Sequence, residues 1–240
     1  MIGPMSDGSA SDDVAVVIPA RDEADRIQPT VTAALGIPGV ALVIVVDDGS
    51  KDGTAAAARQ AGAIVTRHAR NRGKGAAMET GAEAVALLDQ REHRDRPRHL
   101  LVLDADLAGT AALAGPLTEP VLAGTADMTI AVFAATVKLG GHGLVVGLSG
   151  AGIQRAAGWR PAQPLNGQRC LTRAAFEAAR PLARGWGVET GLTIDLLRQG
   201  WRVTQVQVEL AHRATGTGLR AQLHRAHQLT DVARALAARR

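Results

Sequence analysis

The chain has 240 residues, a formal net charge of +4, 46% hydrophobic and 2% aromatic residues, and no tyrosine. That length admits one large domain or two small ones with a sizeable core, while the scarcity of aromatics argues against the stacked-base platforms of single-strand nucleic-acid binders. The single cysteine, Cys170, excludes a disulfide framework and cysteine-rich zinc sites and suits a reducing compartment.

Residues 1–13 are small, polar and acidic. They lack the basic start and apolar stretch of a secretion signal and read as a disordered lead-in. No run approaches the roughly 20 apolar residues of a membrane span, so a soluble, cytoplasmic protein is expected. From Val14 the pattern alternates. VAVVIP (Val14 to Pro19) is a short apolar strand, followed by the helical RDEADRIQPTVTAAL. ALVIVVDDGS (Ala41 to Ser50) is a second strand, and DGTAAAARQAG a helix closed by Gly62. AIVTRH, GKGAAMETGAEAVALL and HLLVLDAD continue as strand, helix and strand. Uninterrupted Val/Ile/Leu strands in a βαβα rhythm predict a parallel sheet covered on both faces, with ligands beyond the carboxyl ends of the strands.

The chemically loaded residues fall at those ends: Pro19-Ala20-Arg21, Asp47-Asp48, Arg70 to Lys74, and Asp104-Ala105-Asp106. Singly, each has a bland explanation, and Asp48, Ser50 and Asp52 would serve as helix caps. Their convergence points to one site. Asp104 and Asp106 project to one face of an extended chain, repel one another and resist desolvation. Such a pair calls for a positive partner, and a divalent cation is one candidate.

The second half is less regular. Between Met128 and Phe176 there is no Asp or Glu, whereas Lys138, Arg155, Arg160, Arg169 and Arg173 remain. Two readings stand: a glycine-rich loop region with solvated arginines, or a wall kept free of negative charge for an anionic substrate or membrane surface. A helix is expected in GWGVETGLTIDLLRQG, a strand in WRVTQVQVEL, and a last helix from about Gly218. That helix carries Leu219, Leu223, Ala226, Leu229, Ala233 and Leu236 near one stripe, for packing on the domain or for interfacial membrane contact. No repeat or linker divides the chain.

At this point VAVVIPARDEADRI, VIVVDDGSKDGT, NRGKGAAMETG and VLDADL resemble the nucleotide-binding half of family 2-type, GT-A fold glycosyltransferases. In pattern they are nearest to polyprenyl-phosphate (dolichol-phosphate type) sugar synthases and glucosyl-3-phosphoglycerate synthases. PLNGQRCLTRAAF, GWGVETGLTIDLL and VELAHRATG resemble the acceptor-side motifs of the same two groups. The resemblance implies a single α/β domain over about 14–217, with a mostly parallel, Rossmann-like sheet and helices on both faces. Its nucleotide-sugar half would run over about 14–127 and its acceptor half over 128–217, followed by a basic amphipathic helix over 218–240. It also implies that Asp104 and Asp106, completed by His212, hold the Mg²⁺ or Mn²⁺ that grips a nucleotide-sugar diphosphate, with Ala105 in the donor-binding turn. Pro19, Ala20, Arg21 and Glu23 would line base and ribose, Asp48 would bond a uracil imide, and Lys74 would lie near base and phosphates. Asn166, Gly167 and Gln168 would form a turn facing sugar and acceptor. Glu189 would contact the donor sugar or stand where inverting enzymes keep their base; structurally, it suits a helix start.

The implied reaction is metal-dependent transfer of a hexose from a nucleotide sugar, UDP favoured, to a phosphate-bearing acceptor such as polyprenyl phosphate. The alternative is a glucosyl-3-phosphoglycerate synthase-like transferase with a small soluble acceptor. The Arg/Thr acceptor motif of the latter has no equivalent in AVFAATVKLGGHGLVVGLSGAGIQ, whose apolar, glycine-rich character suits a lipid tail. Peripheral contact with the inner face of the membrane and a homodimer are compatible with this reading; nucleic acid is not an expected partner. A receiver-type signalling module is a distant alternative, but its acidic pair belongs after the first strand and Asp47-Asp48 follow the second. Nicotinamide binding lacks its G-x-G-x-x-G fingerprint. Sugar, acceptor and stereochemistry stay open.

Overall fold

The structure, a computed structural model, describes residues 13–133, 143–210 and 219–239, with backbone alone for 219–226. Among these residues a seven-stranded sheet runs in the order β3-β2-β1-β4-β6-β5-β7. The strands are β1 (Val14–Ala20), β2 (Val40–Asp47), β3 (Ile64–Arg67), β4 (His99–Val102), β5 (Met128–Phe133), β6 (Arg169–Leu171) and β7 (Val203–Val208). Every neighbouring pair is parallel except those of β6, which is antiparallel to both β4 and β5.

The helices follow from where the strands bury their side chains. Successive strand residues point to opposite faces. Val16, Ile18, Val45 and Leu101 face one layer with Ile27, Val31 and Ala34 of α1 (Ala24–Leu35). A 3₁₀ stretch, Ala108–Leu117, and the single turn α4 (Glu119–Leu122) follow β4, and Leu117 and Val121 join that layer. Ala15, Val17, Ile44 and Leu100 face the other, packing on Met78 and Val85 of α3 (Lys74–Arg91). Phe176 of α6 (Arg173–Ala178) and Leu192 and Leu196 of α7 (Val188–Arg198) belong to that second layer. Helix α2 (Thr54–Gln60) joins β2 to β3. The single α/β sheet with covered faces is the expected one.

Three expectations need correction. The first helix begins at Ala24, not Arg21, because Asp22 adopts φ 55°. Residues 22 and 23 are pinned instead by their amides, Asp22 donating to Ser50 Oγ at 3.0 Å and Glu23 to Thr54 Oγ1 at 2.9 Å. Second, the described part of 128–176 is not a plain loop region: it holds β5, β6 and the 15-residue α5 (Gly143–Ala157). Val145, Ser149 and Ile153 recur on one buried face of α5, and Ser149 Oγ lies 2.7 Å from Thr190 Oγ1 of α7. Tertiary packing overrides the weak helix propensity of its glycines. Third, Arg169 is not a solvated arginine; it is 1% exposed.

Of the two uses weighed for the C-terminal helix, α8 (Leu219–Ala237) packs on the domain over its described side chains. Val232 and Ala235 are buried, Asp231 accepts from Trp186 N at 3.2 Å, and Arg239 pairs with Asp195 through Nε and Nη2 at 2.7 and 2.5 Å. Leu219, Leu223 and Ala226 lie outside the described side chains, as do Lys138 and His212. No described helix is long and apolar enough to cross a membrane.

Candidate functional site

After β3 the chain crosses to the far side of β1 and enters the sheet as β4. Strand order reverses there, and the carboxyl ends of β1 and β4 flank the crevice in which open α/β sheets hold their ligands. The turn Asp104-Ala105-Asp106 leaves β4 at this point. Strand β6 is what brings the second half to it. Its antiparallel register pairs Val102 with Arg169, so the residues just before β6 run alongside the residues just after β4.

The result is one hydrogen-bonded cluster. Lys74, the first residue of α3, reaches Asp104 Oδ1 at 2.7 Å and Glu189 Oε1, in the first turn of α7, at 2.9 Å. Gln168 Nε2 donates to the other oxygen of Asp104 at 2.7 Å. Gly167 leaves the space that Lys74 fills: a Cβ there would overlap Lys74 Nζ and lie 2.9 Å from Asp104 Oδ1. Asn166 orients this turn by accepting from Gln168 N at 3.0 Å. Burial opposes the charge on Lys74, but Asp104 and then Glu189 outweigh it and raise the ammonium pKa above its usual value.

Beneath the cluster lies Arg169. Among the described residues it has no ion pair. Its guanidinium donates to Thr193 Oγ1 at 2.8 Å, Asn166 O at 3.0 Å and Pro164 O at 3.3 Å. Burial pushes its pKa down to about 10, against the pull of Glu189 and Asp104. Nothing in the local sequence separates this arginine from a solvated one; the pairing of β6 with β4 does. Arg169→Met should strip those three acceptors of a charged donor and leave the two carboxylates short of a counter-charge. The expected cost is about 3 kcal/mol, or a fall in Tm of roughly 6–12 °C. An unchanged denaturation midpoint would contradict this role.

Asp48 is buried at the end of β2, and both its oxygens are engaged within the chain. Oδ1 accepts from Arg72 N at 2.7 Å and meets His68 Nδ1 at 2.7 Å, while Oδ2 accepts from Gly73 N at 2.8 Å. His68 Nε2 in turn lies 3.0 Å from Thr80 Oγ1 on α3. Asp48 therefore fixes the loop that delivers Lys74. Gly49, at φ 77°, lets that loop close in, since a Cβ would lie 2.8 Å from Arg70 C and Asn71 N. No motif marks His68 in the sequence; the one signal for it is its place at the end of AIVTRH, beside the other strand ends.

The remaining expected residues spread around this centre. Ala20 is buried, Pro19 and Glu23 are partly exposed, and Arg21 is exposed, its Nε 3.7 Å from Asp22 Oδ2. Ser50 and Asp52 lace the β1 and β2 loops together, Asp52 taking the amides of Ala24 and Thr54. Ala105 is buried and Asp106 is partly exposed, with its carbonyl accepting from Arg26 Nη1 at 3.2 Å. Among the described residues no group of three or more His, Cys, Asp or Glu could hold a metal ion by itself.

A mostly parallel sheet with one antiparallel insertion, and acidic residues at its switch point, is the arrangement that the resemblance to GT-A-type transferases leads one to expect. Residues 15–142 match the glycosyl transferase family 2 domain, and the chain belongs to that family. It is 28% identical over 210 residues to the glycosyltransferase AglJ of Haloferax volcanii, covering 86% of this chain and 65% of that protein. It is also 35% identical over 119 residues to an uncharacterized protein, MJ1222, of Methanocaldococcus jannaschii, covering 50% of this chain and 46% of that one. The chain thus spans less than two thirds of either relative's length. Among solved structures, glucosyl-3-phosphoglycerate synthase from Mycobacterium tuberculosis in complex with Mg²⁺ and uridine diphosphate is similar with a TM-score of 0.75 and 25% identity, over 94% of this chain and 78% of that one. The same enzyme with Mn²⁺, UDP-glucose and phosphoglyceric acid gives 0.67 and 25%, over 93% and 79%.

Proposed function

We propose that this glycosyltransferase moves a hexose from a nucleotide sugar, a UDP-sugar favoured, to a phosphate-bearing acceptor, with a divalent cation at the donor site. The observation that carries the reading is the Lys74–Asp104–Glu189 cluster at the switch point. Solved relatives holding UDP with Mg²⁺ or Mn²⁺ support it.

The donor set fits a hard cation. Asp104 already draws a cationic ammonium to one oxygen, and the buried Gln168 Oε1 accepts no hydrogen bond from the described residues, as expected beside a site completed by a ligand. Asp104 and Asp106 would hold Mg²⁺ or Mn²⁺ as two carboxylates plus substrate phosphate oxygens. When bound, the ion supplies a Lewis acid that offsets charge on the departing nucleoside diphosphate. His212 would be a further ligand. Lys74, on its flexible stem, would bind the diphosphate at the start of α3. Pro19, Ala20, Arg21, Glu23 and Asp48 would bound the base and ribose, with Asp48 acting through the Arg72–Gly73 loop it holds. Glu189 would orient the transferring sugar, with Asn166–Gln168 on the acceptor side.

A phosphate acceptor needs little base catalysis, because its second pKa is about 6; orientation and leaving-group stabilisation would supply most of the rate. For the acceptor, polyprenyl phosphate is favoured by the acid-free stretch from Met128 to Phe176 and by Leu144 and Leu148 standing exposed on α5. Such an acceptor implies a cytoplasmic enzyme working at the inner membrane face. The second reading, a small phosphorylated acceptor, is supported by the phosphoglyceric acid complexes of the M. tuberculosis relative. A thermal-shift panel of UDP-, GDP- and dTDP-sugars with and without Mn²⁺ tests the donor. At least one donor should raise Tm only with metal, and Asp106→Ala should lose the effect. Product formation with polyprenyl phosphate against 3-phosphoglycerate then separates the acceptors. A panel in which every donor leaves Tm unmoved would sink the proposal.

A further inference from the structure

We propose that Lys74 stands in for the divalent cation at Asp104 in the donor-free protein, so that a nucleotide diphosphate must draw the ammonium away before the cation can bind well. The inference rests on the donor-site reading above and concerns what the chain does before substrate arrives.

The geometry carries it. Lys74 Nζ lies 2.7 Å from Asp104 Oδ1, and Gln168 Nε2 lies 2.7 Å from Asp104 Oδ2. Each oxygen of a carboxylate that would grip a metal therefore already accepts a donor, and one of those donors is a full positive charge. A divalent ion at contact distance from Oδ1 would lie beside the ammonium and be repelled by it, in a place where only about one fifth of the lysine side chain is exposed to screening water. Gly167, lacking a Cβ, leaves the room in which the ammonium sits. Lys74 is also equipped to leave. It is the first residue of α3, and a lysine is a compact charge on a flexible four-carbon stem, able to re-aim at a phosphate without backbone movement.

The same ammonium holds Glu189 at 2.9 Å. Its withdrawal to a diphosphate would uncover two carboxylates at once, Asp104 for the cation and Glu189 for the sugar. Arg169, fixed by Thr193, Asn166 and Pro164, remains as the standing counter-charge. Diphosphate and cation thereby favour one another's binding through the chain, beyond any direct bond between them, and this coupling is reciprocal.

Mn²⁺ binding read by electron paramagnetic resonance, with and without UDP, tests the idea on wild type, Lys74→Met and Lys74→Gln. Wild type should bind Mn²⁺ alone poorly. Both variants should bind Mn²⁺ alone about tenfold more tightly than wild type, and that gain should vanish once UDP is present. No gain, or an equal gain with and without UDP, would overturn the inference, the latter because it would mark a through-space charge effect without displacement. Independently of any variant, a structure of the wild type with Mg²⁺ and UDP should show Lys74 Nζ out of hydrogen-bonding reach of both Asp104 and Glu189; a retained contact would overturn it too. If wild type bound neither Mn²⁺ nor UDP, the donor-site reading would fall and take this inference with it, an outcome distinct from the others.

Discussion

Asp104→Asn is expected to lower kcat/KM by roughly 10³-fold while leaving a folded protein. The change is isosteric and the site is partly exposed, so the packing around it should survive. What disappears is the charge that holds Lys74 on one oxygen and Gln168 on the other. An asparagine amide also repels any cation placed against its nitrogen. Removing a single preorganised electrostatic contact to a transition state costs about 10²- to 10³-fold, and Asp104 is the candidate ligand through which that contact would be made. Steady-state kinetics with the best donor, alongside a circular-dichroism melt, would read the two effects separately. Activity close to wild type would mean that the cluster is scaffolding and that the chemistry lies elsewhere.

The second large effect is expected from a single methyl group. In Gly167→Ala the new Cβ must displace Lys74 Nζ and crowd both Asp104 oxygens, which would lie 2.9 and 3.0 Å away. The ammonium is the far end of a flexible side chain, so it yields before the backbone does. Stability should fall by only about 1–2 kcal/mol, the net worth of one or two charged hydrogen bonds. Catalysis should fall about 10²-fold, the penalty of shifting by about an ångström the Asp104 carboxylate that the new Cβ crowds and that is the candidate metal ligand. A variant that unfolds outright, or one that works normally, would each contradict the packing described for this turn.

How much of this was legible beforehand follows from the physics of each element. Strands β1, β2 and β4 are buried on both faces, and that burial writes uninterrupted runs such as VAVVI and LLVL. Parallel strands also put their carboxyl ends on one edge, so Asp48, Lys74 and Asp104 could be grouped without coordinates. Helix α5 was obscured because four glycines, Gly143, Gly147, Gly150 and Gly152, read as a loop. Its buried face is written in Val145, Ser149 and Ile153, only two of them apolar. Arg169 was illegible for a different reason. A charged residue declares its burial only through its partners, and here those are Thr193 on α7, two backbone carbonyls of its own turn, at Asn166 and Pro164, and a strand pairing across the sheet. Asp48 was legible as a site residue, while its work in holding the Arg72–Gly73 loop depends on backbone amides that no side-chain pattern reveals.

The placement of β6 between β4 and β5 has a consequence for how such a protein could be dissected. A three-residue strand is the only bridge of backbone hydrogen bonds joining the strands before residue 103 to those after residue 127, among the described residues. A fragment ending near residue 127 would therefore leave the four-residue β4 as an unpaired edge, a site for edge-to-edge association. The helices after β6 add to that bridge, since Phe176, Leu192 and Leu196 share a core layer with Ala15, Val17 and Ile44, so the two halves complete one another's core as well as one another's sheet.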